Sequence, residues 1–567
     1  MAFLRNGQYS LRKLMFRALL EALDSSTRSL GPFSDVDHAW TVLADAEAVA
    51  PEVVEAVLMH PAVGVWSSRV LRNACGAADD STPLWSEVGV LHAIAGACAV
   101  RCGLVATLPV PVVHGAVTLP TVGQFRLPQD SFPVGHAELR ASPDGAVLTA
   151  FGSRVSITTL DRGFRPARTH RSTADGRSLD VVLDDQDPYR EFSGLAPPSP
   201  LDGVEVDEWR KLLDEAWRLL VRWHPGYAAE LSAGLTALIP IDAALQVVAS
   251  SSSAAFGGIA LSPKRSATEL AEALVHEVQH SKLNALSDLV RLHDGPDPSV
   301  RYAGWRDDPR PVVGALHGIY AFVSVVEFWH VQRGLVPEPH SRRADLTFAL
   351  RARQVRRAVD DLRGAAGLTD LGRRFVAGVS VRLAACETAD VPEDVTAAVT
   401  GLLEDHYATW RLRHVRPRPA DVAVLVERWS AGLAPSSPLS VAGDVVASRE
   451  RGETGRAALL KALVLDPDRR ERMAGAVGPD ARYALGDRAG AAAGYLRHLR
   501  SNPDGGDAWV GLGMALRSPA LLTRPEVARA VHDAVLTRTG TPPDPTRLAA
   551  WLDPAVPHPA AQATARR

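Results

Sequence analysis

Apolar residues recur at spacings of three and four through most of the first hundred positions, in LRKLMFRALLEAL, VVEAVLMHPAVGVW and VGVLHAIAGACAVRCGL. That period matches the turn of a helix, so residues 11–108 read as a helical block. From Pro109 the pattern changes to alternation rich in β-branched residues, in VPVVHGAVTLPTVGQFRL, HAELRASPDGAVLTAF and SRVSITTL. Ser142-Pro143-Asp144-Gly145 is a turn signal within it, and the block reads as antiparallel strands. The Pro/Ser-rich piece from Phe192 to Pro200 closes the block and sets a first boundary. The first expected region, 1–195, is therefore helical and then β.

A helix follows from Val206 to Pro225, with Trp209, Leu212, Leu213, Ala216, Leu219 and Leu220 as its apolar stripe. Two strands are expected next, Leu235 to Ile241 and Leu245 to Leu261, the second interrupted by Ser250 to Ser253. Ser266-Ala267-Thr268-Glu269 has the S-x-x-E form of a capping box and opens an apolar helix running to Leu292. Further helices are predicted over 312–333, 344–364, 368–383 and 395–413. Arg416-Pro417-Arg418-Pro419 sets a second boundary near 420. The middle domain, 196–420, then holds a small antiparallel sheet beside a central helix, with an edge to which an extended peptide could add. Region 421–567 reads as helical and repeat-like. Its stretch GDRAGAAAGYLRHLRSNPDGGDAW resembles the tetratricopeptide pattern through Ala491, Tyr495, Leu499, Pro503, Ala508 and Trp509, with Pro467 lying 36 residues before Pro503. The expected fold class is α+β, mainly helical.

Composition adds limits. A chain of 567 residues has room for about three domains. With 46% hydrophobic and 22% charged residues it can bury an ample core. A formal net charge of −3 argues against nucleic acid or an anionic membrane as a general partner. Cys75, Cys98, Cys102 and Cys386 form no C-x-x-C pair and read as reduced thiols. The N-terminus lacks a continuous apolar run and a small-residue cleavage site, and no uninterrupted apolar stretch approaches ~20 residues. A cytoplasmic protein is expected.

Chemistry concentrates in the central helix, at His276-Glu277-Val278-Gln279-His280. An H-E-x-x-H sequence puts both imidazoles on one helix face, one turn apart, where they can share a metal ion. Glu277 lies beside them and can act on a bound water or second ligand. Leu283 and Leu286 stand where a metzincin would have Gly and His, which excludes that class. A third protein ligand is still required. On the helix over 312–333, His317, Tyr320, Ser324 and Glu327 form one polar stripe, expected to face the His276/His280 pair. His317 would give a three-His site and Glu327 a His₂Glu site, and about 15 Å of helix separates them, so they cannot both ligate one ion. His293 is a third option. The residues alone leave this open.

The ensemble HEVQHSKLNALSDL, RYAGWRDDPRP and GALHGIYAFVSVVEFW resembles the H-E-x-x-H family of peptide β-hydroxylases, in the form without a radical-SAM domain. The likeness is strongest over 230–335 and extends more weakly to HPAVGVWSSRVLRN and PVPVVHGAVTLPTVGQFRL. It implies iron(II) held by His276, His280 and His317, and 2-oxoglutarate as co-substrate. It also implies hydroxylation of the β-carbon of a residue in a ribosomally made precursor peptide. The distal carboxylate of 2-oxoglutarate needs a cation, best an arginine fork, and Arg306 and Arg310 are the candidates, ahead of Arg301. Two rival readings stand beside this one. The first is a zinc metallopeptidase with Glu277 as general base and Glu327 as third ligand. The second is a scaffold protein with a structural metal.

Overall fold

In the computed structural model, which describes residues 1–24, 30–76, 83–127, 134–157, 163–192, 195–197, 199–241, 249–295, 300–337, 340–387, 389–448, 450 and 452–556, the chain forms two compact units, Met1–Val290 and Arg291–Arg567. Helix makes up 60% and strand 14%, a mainly helical α+β protein.

In the first unit the three-four periodicity becomes α1 (Ala2–Asp24), α2 (Val36–Val49), α3 (Pro51–Leu58), α4 (Pro61–Ala74) and α5 (Leu84–Cys102). The change of pattern falls at Ala106, where β1 (Ala106–Val113) begins. Strands β2 (Ala116–Leu119), β3 (Gly123–Arg126), β4 (Val134–Ser142), β5 (Gly145–Ala150), β6 (Ser153–Ser156) and β7 (Phe164–Pro166) complete an antiparallel sheet in the order β6-β5-β4-β1-β2-β3-β7. The Pro143-Asp144 turn closes the β4–β5 hairpin, with Ser142 opposite Gly145. Helix α5 packs on β1 and β4 and is buried along most of its length. Burying this face against Leu108, Val110 and Leu139 supplies the core of the N-terminal layer.

A second, mixed sheet begins with β8 (Arg168–Ala174) and β9 (Arg177–Leu183), a hairpin turned by Asp175-Gly176 with both residues at positive φ. Helices α6 (Gly203–Trp223) and α7 (Pro225–Gly234) intervene before β10 (Ala237–Pro240), β11 (Ala249–Ser250) and β12 (Gly258–Leu261). The order is β11-β12-β10-β9-β8, with β10 parallel to both β9 and β12. Strands from either side of position 195 therefore share one sheet, whose inner pairs are parallel. Residues 242–248, within the expected strand from Leu245, lie outside the described residues. Helix α8 (Ala267–Ser287) carries the H-E-x-x-H sequence and packs on α6, α7, β11 and β12. The Ser266 hydroxyl accepts from Glu269 N at 3.2 Å, while Glu269 Oε2 accepts from Arg265 N at 3.1 Å, one residue before the expected capping-box partner.

Close packing fixes the segment leading to α8. At Gly64 a Cβ would lie 2.0 Å from the Ala254 carbonyl oxygen and 2.3 Å from Arg12 Nη2. Arg12 is buried there, donating to Ser67 Oγ at 2.9 Å and to Ala254 O at 3.4 Å, and burial lowers its pKa to about 10.

The second unit starts with β13 (Val300–Arg301) and β14 (Arg310–Pro311), which pair and pinch off the Arg-rich loop. Helices α9 (Val312–Gln332), α10 (His340–Arg363), α11 (Asp370–Cys386) and α12 (Glu393–His414) follow. Helix α9 has the length and apolar character of a membrane span, yet 67% of its most apolar window is buried inside the fold, against α10 and α11. The Arg416–Pro419 run is structured: β15 (Val415–Pro417) leads into α13 (Pro419–Ser430) and pairs with β16 (Gly443–Val445). The expected boundaries at 195 and 420 thus differ from the division at 290/291. Helices α14 (Gly455–Leu465), α15 (Arg469–Arg472), α16 (Pro479–Leu485), α17 (Arg488–Ser501), α18 (Gly506–Leu516), α19 (Pro519–Thr523), α20 (Pro525–Thr539) and α21 (Pro545–Leu552) complete the chain's described part. Within the repeat-like stretch α17 and α18 pack together, burying Ala491, Tyr495, Leu499, Ala508 and Trp509, and Trp509 Nε1 donates to Pro503 O at 3.1 Å.

Four of these helices converge on one guanidinium. Arg456, 1% exposed, donates to Asp405 Oδ1 from Nε at 3.0 Å and Nη2 at 2.7 Å, and to Asp480 Oδ1 and the Asp507 carbonyl. Thr454 Oγ1 fills the other Asp405 oxygen at 2.6 Å. Replacing Arg456 by Met should strand a buried carboxylate and cost about 3–5 kcal/mol in denaturant unfolding of the full chain. The exposed pair Arg140–Glu138 is the control, where Arg140→Met should leave stability nearly unchanged. Gly64→Ala should cost at least ~1–3 kcal/mol, because a backbone carbonyl cannot step aside as a flexible side chain can. Thermal unfolding of Gly64→Ala beside Gly203→Ala, which meets nothing within 4 Å, checks it.

Candidate metal centre

Helix periodicity alone brings His276 and His280 to one face; the packing of α8 decides where that face points. On its other side Gln279 Nε2 donates to Glu230 Oε2 at 2.9 Å, and Lys282 Nζ pairs with Glu230 Oε1 at 2.5 Å. Lys282 is thus an anchor to α7. These contacts set the rotation of α8.

The two imidazoles are half-buried and nearly perpendicular, at 80°, with Nε2 atoms 3.2 Å apart. Two nitrogens bound at ~2.0–2.1 Å to one tetrahedral ion are roughly 3.3 Å apart, so the pair already has the spacing a shared metal requires. Glu277 completes a group whose ligand atoms all lie within 4.8 Å of one another. It is 4% exposed, and its Oε2 accepts from Ser251 Oγ at 2.8 Å. Burial pushes its pKa up to about 7, against the opposing pull of that hydrogen bond and of the Lys264 ammonium. Ser251 follows directly on the edge strand β11, so sheet edge and motif meet through this bond.

His317, the third ligand implied by the resemblance, sits half-buried on α9 in the second unit, where burial lowers its pKa and favours the neutral ring. The polar stripe that continues from it has partners of its own. Glu327 accepts from Arg382 Nε at 2.8 Å and Nη2 at 2.7 Å, Tyr320 stacks at 5.1 Å on Phe375, and Ser324 Oγ donates to Ala321 O at 2.5 Å. Arg382 and Phe375 belong to α11. Within the second unit, Glu327 and Tyr320 of this stripe are thus partnered by α11 and Ser324 by the backbone of α9 itself, and the arginine offsets the cost of a buried carboxylate. Arg306 and Arg310 both bind Asp308, at 2.7 and 3.4 Å. Asp308 is held below the usual carboxylate range by these two arginines, although burial works the other way and is the largest influence. Tyr302 is buried, its Oη bonding with His406 Nδ1 at 2.8 Å, and the half-buried Trp305 packs at 5.1 Å on Phe322. His293 bridges to Leu368.

A second group escaped the sequence reading. His60, Asp184 and Asp187 bring ligand atoms within 4.8 Å of one another, all three buried. The available signal was the polar run Asp184-Asp185-Gln186-Asp187 straight after an apolar strand, but its histidine partner is more than a hundred residues away.

Glu277 links burial to pH. Its folded pKa of about 7 stands above the ordinary value of 4.5, so the folded state binds the extra proton between those values. Stability of the metal-free protein should fall as pH rises from 4.5 to 7 and then level off. Glu277→Gln removes the cost of the buried charge. It should stabilise the metal-free protein at pH 8 by up to about 3 kcal/mol and have little effect at pH 5, read from denaturation at both pH values.

No family model matches this sequence, and comparison with curated proteins finds no match.

Proposed function

We propose that the chain is an iron(II)- and 2-oxoglutarate-dependent oxygenase that hydroxylates the β-carbon of a residue in a ribosomally synthesised precursor peptide. The observation that carries the reading is the His276/His280 pair, with Nε2 atoms 3.2 Å apart beside a buried carboxylate. Two imidazoles suit a first-row divalent metal, iron included, so the donor set fits. Iron with 2-oxoglutarate would supply the oxidising power to convert a C–H bond to C–OH. Arg306 and Arg310 already hold one carboxylate, that of Asp308, and the distal carboxylate of the keto acid would replace it there. Glu277, with a pKa of about 7, would hold or release a proton at the carboxylate that Ser251 orients. Strand β11 ends its sheet and is immediately followed by Ser251. An extended peptide pairing along that edge would therefore run past the motif. The setting we infer is the cytoplasm, where such peptides are made.

One observation favours a second reading, a zinc peptidase: a near-neutral buried glutamate beside two metal-binding histidines also suits a general base. The bidentate Glu327–Arg382 pair speaks against its expected third ligand.

Purified protein loaded anaerobically with iron(II), then given 2-oxoglutarate, oxygen and its cognate precursor peptide, tests both. The expected result is a mass gain of one oxygen atom on the peptide, dependent on the keto acid and lost in His276→Ala. Zinc-supported cleavage without need of 2-oxoglutarate would establish the peptidase instead. His317→Ala is expected to lower iron content measured by elemental analysis; unchanged iron would remove His317 from the ligand set.

A further inference from the structure

The buried group at the carboxyl end of β9 shares no residue with the H-E-x-x-H sequence. His60 is the N-cap residue of α4, but its side chain makes no cap hydrogen bond. Its ring is 5% exposed, its Nδ1 has no hydrogen-bond partner among the described residues, and its Nε2 stands 3.9 Å from Asp184 Oδ2, too far for a hydrogen bond. Asp184 and Asp187 are each 6% exposed. Each uses Oδ1 to finish its own turn. Asp184 Oδ1 accepts from the Asp187 N–H at 3.0 Å, and Asp187 Oδ1 accepts from the Tyr189 N–H at 2.8 Å. Among the described residues neither Oδ2 accepts a hydrogen bond. Local turn bonds thus hold two carboxylates rigidly with one oxygen each to spare, beside an imidazole that makes no cap hydrogen bond.

As it stands this is an expensive arrangement. Two carboxyl groups and an imidazole are each largely buried, the ring Nδ1 unpartnered among the described residues, and Asp184 stands close enough to help raise the pKa of Asp187. The guanidinium of Arg190, which pulls the Asp187 pKa the other way, donates to the carbonyls of Asp187, Ala196 and Pro197 rather than to either carboxyl group. Arg168 is spent on Asp185. Burial, with Asp184 adding to it, pushes Asp187 up to about 7, and burial keeps the His60 ring in its neutral, ligating form. A divalent cation would offset this imbalance: it favours the ionised form of both carboxyl groups and takes one lone pair from each residue. Tetrahedral ligand atoms at ~2.0–2.2 Å from one ion are about 3.3–3.6 Å apart; these lie within 4.8 Å of one another, with His60 Nε2 3.9 Å from Asp184 Oδ2, so the group would have to draw in to close the cage.

We propose that His60, Asp184 and Asp187 form a second, structural site for a first-row divalent cation, clamping the start of α4 to the end of β9. One imidazole and two carboxylates suit zinc or manganese. No substrate path is required of it: the cation replaces missing hydrogen bonds and joins two layers whose contributing residues are far apart in sequence.

The test is metal stoichiometry in the full chain, by equilibrium dialysis against zinc(II) or manganese(II) followed by elemental analysis. His276→Ala/His280→Ala should still bind one equivalent, and its melting temperature should rise on adding the metal. Adding Asp187→Asn, a substitution of nearly the same shape that also removes a buried charge, should abolish both the equivalent and the rise. Circular dichroism and gel filtration verify that each variant is folded. A folded double variant that binds no metal overturns the proposal, as does an equivalent that survives Asp187→Asn. Binding of one equivalent by the double variant and only one by the wild type would support this site and count against the H-E-x-x-H pair instead.

Discussion

An ionisable group taken out of water must find a partner of opposite charge, a hydrogen bond or a proton, and that requirement shapes both units. Arg456 meets it by drawing Asp405, Asp480 and a backbone carbonyl around itself, and α12, α14, α16 and α18 are held together as a result. Glu327 meets it through Arg382, and α9 is locked to α11. Glu277 meets it partly with the Ser251 hydroxyl and partly by retaining a proton near neutral pH. The His60 cluster meets it least of all the buried groups described here, which is why it points to a ligand.

The same requirement separates the parts of the chain that form scaffold from those suited to chemistry. A carboxylate with both oxygens filled by an arginine is structurally settled and chemically quiet. Glu277 has one ordinary hydrogen bond from a serine and a more distant ammonium, so its two protonation states lie close in energy at neutral pH. Beside two imidazoles spaced for one ion, such a carboxylate can follow the chemistry of whatever is bound there.

Much of this was legible from the residues. The change from three-four spacing to alternation lies within a few residues of the start of β1, and the capping serine at 266 and the fourfold histidine spacing are local signals that survive folding. What the sequence could not give depends on contacts between distant segments. The stripe of His317, Tyr320, Ser324 and Glu327 called for a polar neighbour, but many elements could supply one, and Arg382 did so for Glu327. The parallel pairing of β9 with β10 joins segments that lie on either side of position 195 and are separated by two helices. Arg416 to Pro419 is likewise built into the fold, where Pro417 ends a short strand and Pro419 starts a helix. His60 and Asp184 meet only after α4 and β9 are both in place.

The glycine at 64 ties these observations together. Its missing side chain lets α4 press against the Ala254 carbonyl, while Gly258, a few residues on, packs against Pro61. The short connection from Ser251 to Gly258 is thereby seated on the N-terminal helices, and the hydroxyl that bonds Glu277 sits at its far end. The serine bond that opposes the effect of burial on the motif glutamate is in this sense seated by another helix. A single methyl group with no charge and no polar atom, placed two hundred residues upstream, would register as a change in a titration curve.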